Sequence, residues 1–99
     1  MIAASFQFEQ FHSDAEFTRL DDEIMTFCEG IPGFIKKMKW HSPNGKTINV
    51  VYYFESQTDL QQLMKLDAHK EAKSRNAEWY SSYSVELYQV IAEYSSQSA

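Results

Sequence analysis

The hydrophobic periodicity of this chain switches repeatedly between two residues and three to four residues, and the order of the switches restricts the fold. Apolar and polar side chains alternate from Ile2 to Phe11, the pattern of a strand with one apolar face. Alternating runs at 34–41 and 47–55 flank the turn sequence Ser-Pro-Asn-Gly-Lys, and another run covers 84–94. The sequence therefore predicts four strands, the middle two of which form a hairpin.

Helical spacing fills the two longer intervals between these strands. A capping box that begins at Ser13 precedes apolar residues at every third or fourth position, which predicts a helix over 14–29. A second helical stretch follows Ser56; we expect a break near Asp67, which can cap a further segment reaching about Tyr80. The predicted order is β-α-β-β-α-β.

This order of elements predicts an α+β fold. Right-handed crossovers give such a chain a four-stranded antiparallel sheet with both helices on one face, the ferredoxin-like βαββαβ sandwich. The strand at 47–55 is apolar on both faces, so we expect it in the centre of the sheet. Residues 1–94 are predicted to form a single domain, and 95–99 a flexible C-terminal tail.

The aromatic content exceeds what one small core requires. Of the 99 residues, 15% are aromatic, including 7 Phe and 6 Tyr. A two-layer domain covers only one face of its sheet, so some of these side chains must face a partner or a cavity. A second copy of the chain, packed on the bare sheet face, is the simplest partner, and the sequence predicts a homodimer.

Charge and cysteine content exclude several classes of function. The formal net charge of −5 disfavours nucleic acid as a partner, and no apolar run is long enough for a membrane span. The only cysteine, Cys28, cannot form an internal disulfide, which favours a cytoplasmic location. Because CxxC, HExxH, GxSxG and glycine-rich phosphate motifs are absent from the sequence, we expect no metal site and no nucleotide site.

Several short runs along the chain carry a family resemblance. The runs are Glu-Gly-Ile-Pro-Gly-Phe at 29–34, Trp-His-Ser-Pro-Asn-Gly at 40–45, Tyr-Phe-Glu-Ser at 53–56 and His-Lys-Glu-Ala at 69–72, followed by Trp79, Tyr80 and Tyr83. In this order and spacing they resemble the small antibiotic biosynthesis monooxygenase domains. The resemblance implies a dimeric α/β barrel, in which two ferredoxin-like sheets close face to face and each subunit has a pocket between helices and sheet.

The resemblance also suggests a role for His69, which falls where heme-degrading members have their iron-ligating helix histidine. Those members add an asparagine on strand 1 and a tryptophan upstream on the helix. This chain has Ser5 and Gln7 on strand 1 and no tryptophan upstream of His69 in that helix, so heme degradation is not expected. The remaining characterised activities of the family need no cofactor, and none is predicted here.

Two functions stay open from the sequence. The first is a cofactor-independent monooxygenase acting on a small aromatic ligand, a quinol or polyketide-like compound, with His69 as the catalytic acid/base and with Trp40, Tyr53 and Trp79 binding the substrate. The second is a non-catalytic dimer of unknown function that binds small molecules or serves in a stress response. Each residue also has a structural alternative: His69 as a polar residue of a first helical turn, the tryptophans in core or interface, and Tyr53 with its hydroxyl at a wet sheet edge.

Overall fold

The computed structural model describes residues 1–96 and forms four strands, three α-helices and one short 3₁₀ helix. The elements are β1 (Ile2–Gln10), α1 (Ala15–Glu29), β2 (Phe34–His41), β3 (Thr47–Phe54), α2 (Gln57–Lys65), α3 (Asp67–Ser74), the 3₁₀ helix (Asn76–Glu78) and β4 (Tyr80–Gln89). Of the tail predicted at 95–99, residues 97–99 lie outside the described residues. None of the helices within 1–96 has both the length and the apolar character that a membrane crossing requires.

The strands form one antiparallel sheet in the order β2-β3-β1-β4. The α+β fold and the central position of β3 are therefore confirmed. The apolar sides of β1 and β3 and the inner sides of the helices bury a common core, so the helices cover one face of the sheet. We call this the helix-covered face and the other the open face.

The core follows from the two periodicities of the sequence. Alternate residues of β3 point toward the helices, which buries Ile48, Val50, Tyr52 and Phe54. The helices contribute residues at three- and four-residue steps, and the buried ones are Leu20, Ile24, Cys28, Leu60, Leu63 and Ala68. Burial raises the pKa of the Cys28 thiol to about 11, so this cysteine is an inert part of the core.

The start of α1 differs from the sequence prediction. The N-cap is Asp14, whose Oδ1 accepts a hydrogen bond from the backbone N–H of Phe17 over 2.9 Å. Ser13, the predicted cap, lies one residue too early. A cap side chain has to reach an amide two or three residues ahead, and the extended backbone of Asp14 gives its carboxylate that reach.

The end of the second helical region also differs. The break predicted near Asp67 separates α2 from α3, but α3 ends at Ser74 instead of continuing to about Tyr80. The 3₁₀ helix then tightens the chain, and β4 begins at Tyr80, where it pairs with Gln10 of β1. The last strand is therefore 80–89 and not 84–94.

The segment after β4 crosses the open face. The Val90 N–H donates to the carbonyl of Met1 over 2.9 Å, and the Glu93 carboxylate lies 3.6 Å from the Lys36 ammonium on β2. Since β2 and β4 are opposite edges of the sheet, this segment spans its width. Ile91 and Tyr94 of this segment are almost fully exposed.

Candidate functional site

A cavity of about 400 Å³ lies between the helix-covered face and helices α1 and α3. We call it the helix-side cavity. Its floor comes from the central and β4 strands, including Phe6, Val50 and Val85, and its upper wall comes from helix residues, including Ile24, His69 and Ala72. A volume above roughly 300 Å³ is large enough for a drug-sized ring system.

The sequence patterns account for which side chains reach this cavity. Period-two alternation turns Phe6 and Phe8 of β1 toward the helices. Helical spacing places His69, Ala72 and Asn76 on one side, as their three- and four-residue steps predict. Each wall therefore derives from a pattern that is visible in the sequence.

His69 is the titratable base of the cavity. Its imidazole is half-buried and lies edge-on to the Phe6 ring, with ring centroids 6.0 Å apart. Burial lowers the pKa of His69 below its ordinary 6.5, and the nearby Lys73 ammonium lowers it further. At neutral pH the side chain is therefore an uncharged imidazole that can accept a proton.

Hydroxyl donors line another part of the same cavity. Burial raises the pKa of the Tyr52 and Tyr80 phenols, and the charge of Asp21 raises both further. Both phenols stay protonated across the physiological range and can donate hydrogen bonds. The Asp21 carboxylate is itself paired with the Lys37 ammonium at 3.9 Å, and this ammonium lies 5.5 Å from the centre of the Tyr52 ring.

Aromatic contacts hold these donors in position. The ring of Tyr80 stacks on Phe8 at 4.2 Å, and Tyr52 meets Phe6 edge to face at 5.8 Å with an interplanar angle of 89°. Close ring packing restricts the rotamers that either tyrosine can adopt. The arrangement can hold a planar ring against apolar walls while hydroxyls and a neutral imidazole contact its oxygen substituents.

Trp79 does not line this cavity. It is 1% exposed, its ring lies 5.5 Å from that of Phe17, and its Nε1–H donates to Asp14 Oδ1 over 3.0 Å. The three- and four-residue steps from His69 through Ala72 and Asn76 to Trp79 would place the indole on the same helical face only if the helix continued to about Tyr80, as the sequence predicts. Because α3 ends at Ser74, the 3₁₀ helix turns the indole into the core, which agrees with the packing alternative for this residue.

Trp40 and Tyr53 lie on the open face. Trp40 is on the edge strand β2 and is 58% exposed. Tyr53 lines a second cavity, of about 470 Å³, beneath the segment after β4 together with Ala3, Val51 and Tyr88. Of the four predicted site residues, the structure brings only His69 to the helix-side cavity.

Sequence reasoning missed two charged residues of this cavity, Asp21 and Lys73. Asp21 follows Phe17 by four residues and precedes Ile24 by three, so an acidic residue interrupts the apolar stripe of α1. That interruption is a readable signal of a polar group facing inward. Lys73 follows His69 by four residues, so the two side chains lie on the same side of α3. This neighbour of His69 can therefore be identified from the sequence alone.

The metal-binding side-chain types are not clustered in the part of the chain that the structure describes. Within residues 1–96, no three His, Cys, Asp or Glu side chains come close enough together to hold an ion. The polar groups of the helix-side cavity are instead one imidazole, one amide, one carboxylate, several hydroxyls and one lysine ammonium. Such a set suits an organic ligand with oxygen substituents.

Solved structures share this fold over nearly the whole chain. The Rv0793 protein of Mycobacterium tuberculosis superposes with a TM-score of 0.77 at 14% identity, over 95% of this chain and 98% of that one. SnoaB of Streptomyces nogalater, a cofactor-independent oxygenase, gives 0.73 at 10% identity, over 93% and 94% of the two chains. A Nitrosomonas europaea protein that carries the name of the antibiotic biosynthesis monooxygenases gives 0.72 at 10% identity, over 93% and 100%.

The relation to these proteins is visible in structure and not in overall sequence. No family model and no curated protein matches the sequence. The short sequence runs that carry the family resemblance and the shared arrangement of strands and helices nevertheless indicate the same fold. The chain has the fold of the antibiotic biosynthesis monooxygenase structures, as its sequence resemblance implies.

Proposed function

We propose that this protein is a cofactor-independent monooxygenase that oxidises a small quinol or polyketide-like phenol in the helix-side cavity. The observation that carries the proposal is a half-buried, neutral imidazole, His69, in a cavity of about 400 Å³. Phenol donors and aromatic walls surround the same space. The shared fold with SnoaB, itself a cofactor-independent oxygenase, adds support.

The chemistry asks little of the protein, because the substrate supplies the electrons. For an anthrone, His69 takes a proton from the ring CH₂ group, and the resulting carbanion donates electrons to O₂. A carbon–oxygen bond forms, and the resulting peroxide anion takes the proton back from His69 to give a hydroperoxide. Loss of water then leaves a quinone carbonyl, so that one oxygen atom enters the product, the other leaves as water and no external reductant is used.

Tyr52 and Tyr80 are the proposed hydrogen-bond donors for this step. Deprotonation moves negative charge onto the oxygen substituents of the ring, and preorganised donors stabilise charge that develops in the transition state. Both hydroxyls remain protonated because burial raises their pKa values. A bound ring that covers Phe6 and Phe8 would displace water from these hydroxyls, which would strengthen their contacts with the substrate.

The other predicted site residues have supporting roles in this proposal. Trp79 acts as a positioning residue, since it packs on Phe17, which in turn contacts the Tyr80 ring at 6.0 Å. Trp40 and Tyr53 are assigned to contacts with a second copy of the chain. Their side of the sheet is open, and Tyr88 on the same face is 48% exposed. The proposed state is a cytoplasmic homodimer.

An oxygen electrode provides the test of the enzyme proposal. Metal-free protein is mixed with a panel of quinols and with 1,8-dihydroxyanthrone, and oxygen uptake above the protein-free blank is recorded. We expect uptake that falls by about 10²-fold or more in His69→Ala, the scale of general base catalysis. The control is His41→Ala, which removes an exposed histidine of the edge strand β2.

Two results would reject this assignment. Oxygen uptake equal to the blank would show that the protein does not oxidise these compounds. Uptake unchanged by His69→Ala would show that the imidazole is not the catalytic base. Tight binding of the same compounds without turnover would instead identify the non-catalytic small-molecule-binding dimer.

A further inference from the structure

Lys73 is an exposed cation at the helix-side cavity, and no carboxylate of residues 1–96 pairs with it. It lies one helical turn after His69 and lines the cavity. The four-residue spacing places the two side chains on the same side of α3, and the ammonium lowers the pKa of the imidazole. Within residues 1–96, Lys73 forms no ion pair, whereas Arg19, Lys37 and Arg75 each have an acidic partner.

The charges of the cavity are therefore unevenly compensated. The Lys37 ammonium, which does not line the cavity, lies 3.9 Å from the Asp21 carboxylate, and His69 is uncharged at neutral pH. Within residues 1–96, Lys73 is the charged lining residue that has no ion-pair partner. Lys73 is exposed, so its ammonium stands at the solvent side of the cavity, and an anionic group on a ligand that fills the apolar part would form a charge-assisted contact with it.

We propose that Lys73 selects ring compounds that carry a carboxylate, so that the substrate class is a carboxylated hydroxyaromatic compound. This inference rests on the proposed function and refines the substrate of the same site. The ring lies against the Phe6 side of the cavity, and its carboxylate binds the Lys73 ammonium beside His69. The bound carboxylate also offsets the effect of the ammonium on the imidazole, which makes His69 a stronger base when substrate is present.

A matched pair of fluorescent probes tests the selection. The probes 3-hydroxy-2-naphthoate and 2-naphthol share the ring and the hydroxyl and differ only in the carboxylate. Dissociation constants are measured by fluorescence titration at pH 7.5 and low salt. The wild-type protein is expected to bind the naphthoate about tenfold more tightly, the scale of one charge-assisted contact.

Three variants assign the preference to one residue. Lys73→Met is expected to abolish the preference for the naphthoate, and Lys73→Arg is expected to retain it. Lys70→Met, which removes an exposed lysine of the same helix that does not line the cavity, is expected to retain it as well. Histidine NMR should also record a higher pKa for His69 with the naphthoate bound than with 2-naphthol.

The outcomes separate this inference from the proposed function. Equal affinity of the wild-type protein for the two probes, with both bound, overturns the selection by Lys73 and leaves the cavity as a ligand site. A preference that persists in Lys73→Met overturns it as well. If neither probe binds, both the selection and the proposed function are rejected.

Discussion

The indole of Trp79 and the carboxylate of Asp14 form a hydrogen bond of 3.0 Å that joins the chain before β4 to the start of α1. The same carboxylate oxygen accepts the Phe17 N–H at 2.9 Å and so caps the helix. One acidic side chain thus fixes both the N-terminus of α1 and the indole. Since α1 and the segment before β4 both border the helix-side cavity, this contact helps to define its shape.

Truncation of Trp79 is expected to be severely destabilising. Trp79→Ala should lower the free energy of unfolding by about 3–5 kcal/mol, the usual cost of removing a fully buried large aromatic side chain. Trp79→Phe should cost less, because it keeps most of the apolar contact and loses the N–H. Urea unfolding followed by circular dichroism measures both.

The matched control is Phe11→Ala, which removes an aromatic ring that is 63% exposed in the same region. It should change the free energy of unfolding by less than about 0.5 kcal/mol. Equal costs for Phe11→Ala and Trp79→Ala would contradict the core position of the indole.

Acid should weaken the fold partly through Asp14. The hydrogen bond from Phe17 holds the pKa of Asp14 below its ordinary 3.8, and the bond from Trp79 lowers it further. The unfolded chain therefore binds more protons near pH 4, and the stabilisation, complete above the ordinary pKa, is lost as the pH falls through the folded value. Asp14→Asn should reduce the slope of unfolding free energy against pH below about pH 4.5, and an unchanged slope would argue against this carboxylate.

His69 should give a second pH dependence, at higher pH. Its pKa is lowered below 6.5 in the folded protein, so the unfolded chain binds the extra proton first as the pH falls. Stability should decrease from about pH 6.5 downward, and His69→Gln should remove this part of the curve. The rate of substrate oxidation should rise with pH through the same depressed pKa, because the neutral imidazole is the base. Titration of the His69 ring protons at or above pH 6.5 would contradict both expectations.

The proposed dimer predicts that sedimentation gives twice the chain mass of 11.6 kDa at micromolar concentration. Val51→Lys should dissociate it, because Val51 points to the open face and an unpaired ammonium there would have to be desolvated in the interface. Thr26→Lys adds the same charge on the exposed side of α1 and should leave the dimer intact. A wild-type protein that sediments as a monomer would contradict the proposal that the aromatic residues of the open face pack against a second copy of the chain.

Periodicity predicts the sheet and the core well because burial on one face forces it. The side chains of β3 alternate without interruption, so their faces can be assigned from the sequence, and Tyr52 and Tyr53 fall on opposite sides as expected. The end of α3 was harder to predict, since residues 68–80 continue a helix-compatible pattern. Pairing of Tyr80 with Gln10 is a long-range contact that local patterns do not contain.

The same limitation explains the partial prediction of the site. The family resemblance identifies His69, and the helical spacing of Ala72 and Asn76 agrees with their place beside it at the cavity. Trp79 would join that group only if the helix continued beyond Ser74, where α3 ends. Whether Trp40 and Tyr53 can line the cavity depends on which face of the sheet the helices cover. Both faces carry aromatic residues, so composition does not show which aromatic side chains face the helices.

NMR mapping of a bound ring compound tests the central claim, that the helix-side cavity is the ligand site, most directly. Under anaerobic conditions, which prevent turnover, 1,8-dihydroxyanthrone is titrated into ¹⁵N-labelled protein and amide shifts are followed. The account predicts that the largest shifts occur at Phe6, Tyr52, His69 and Tyr80, which line this cavity. Shifts concentrated at Ala3, Val51, Tyr53 and Tyr88, around the open-face cavity, would contradict it.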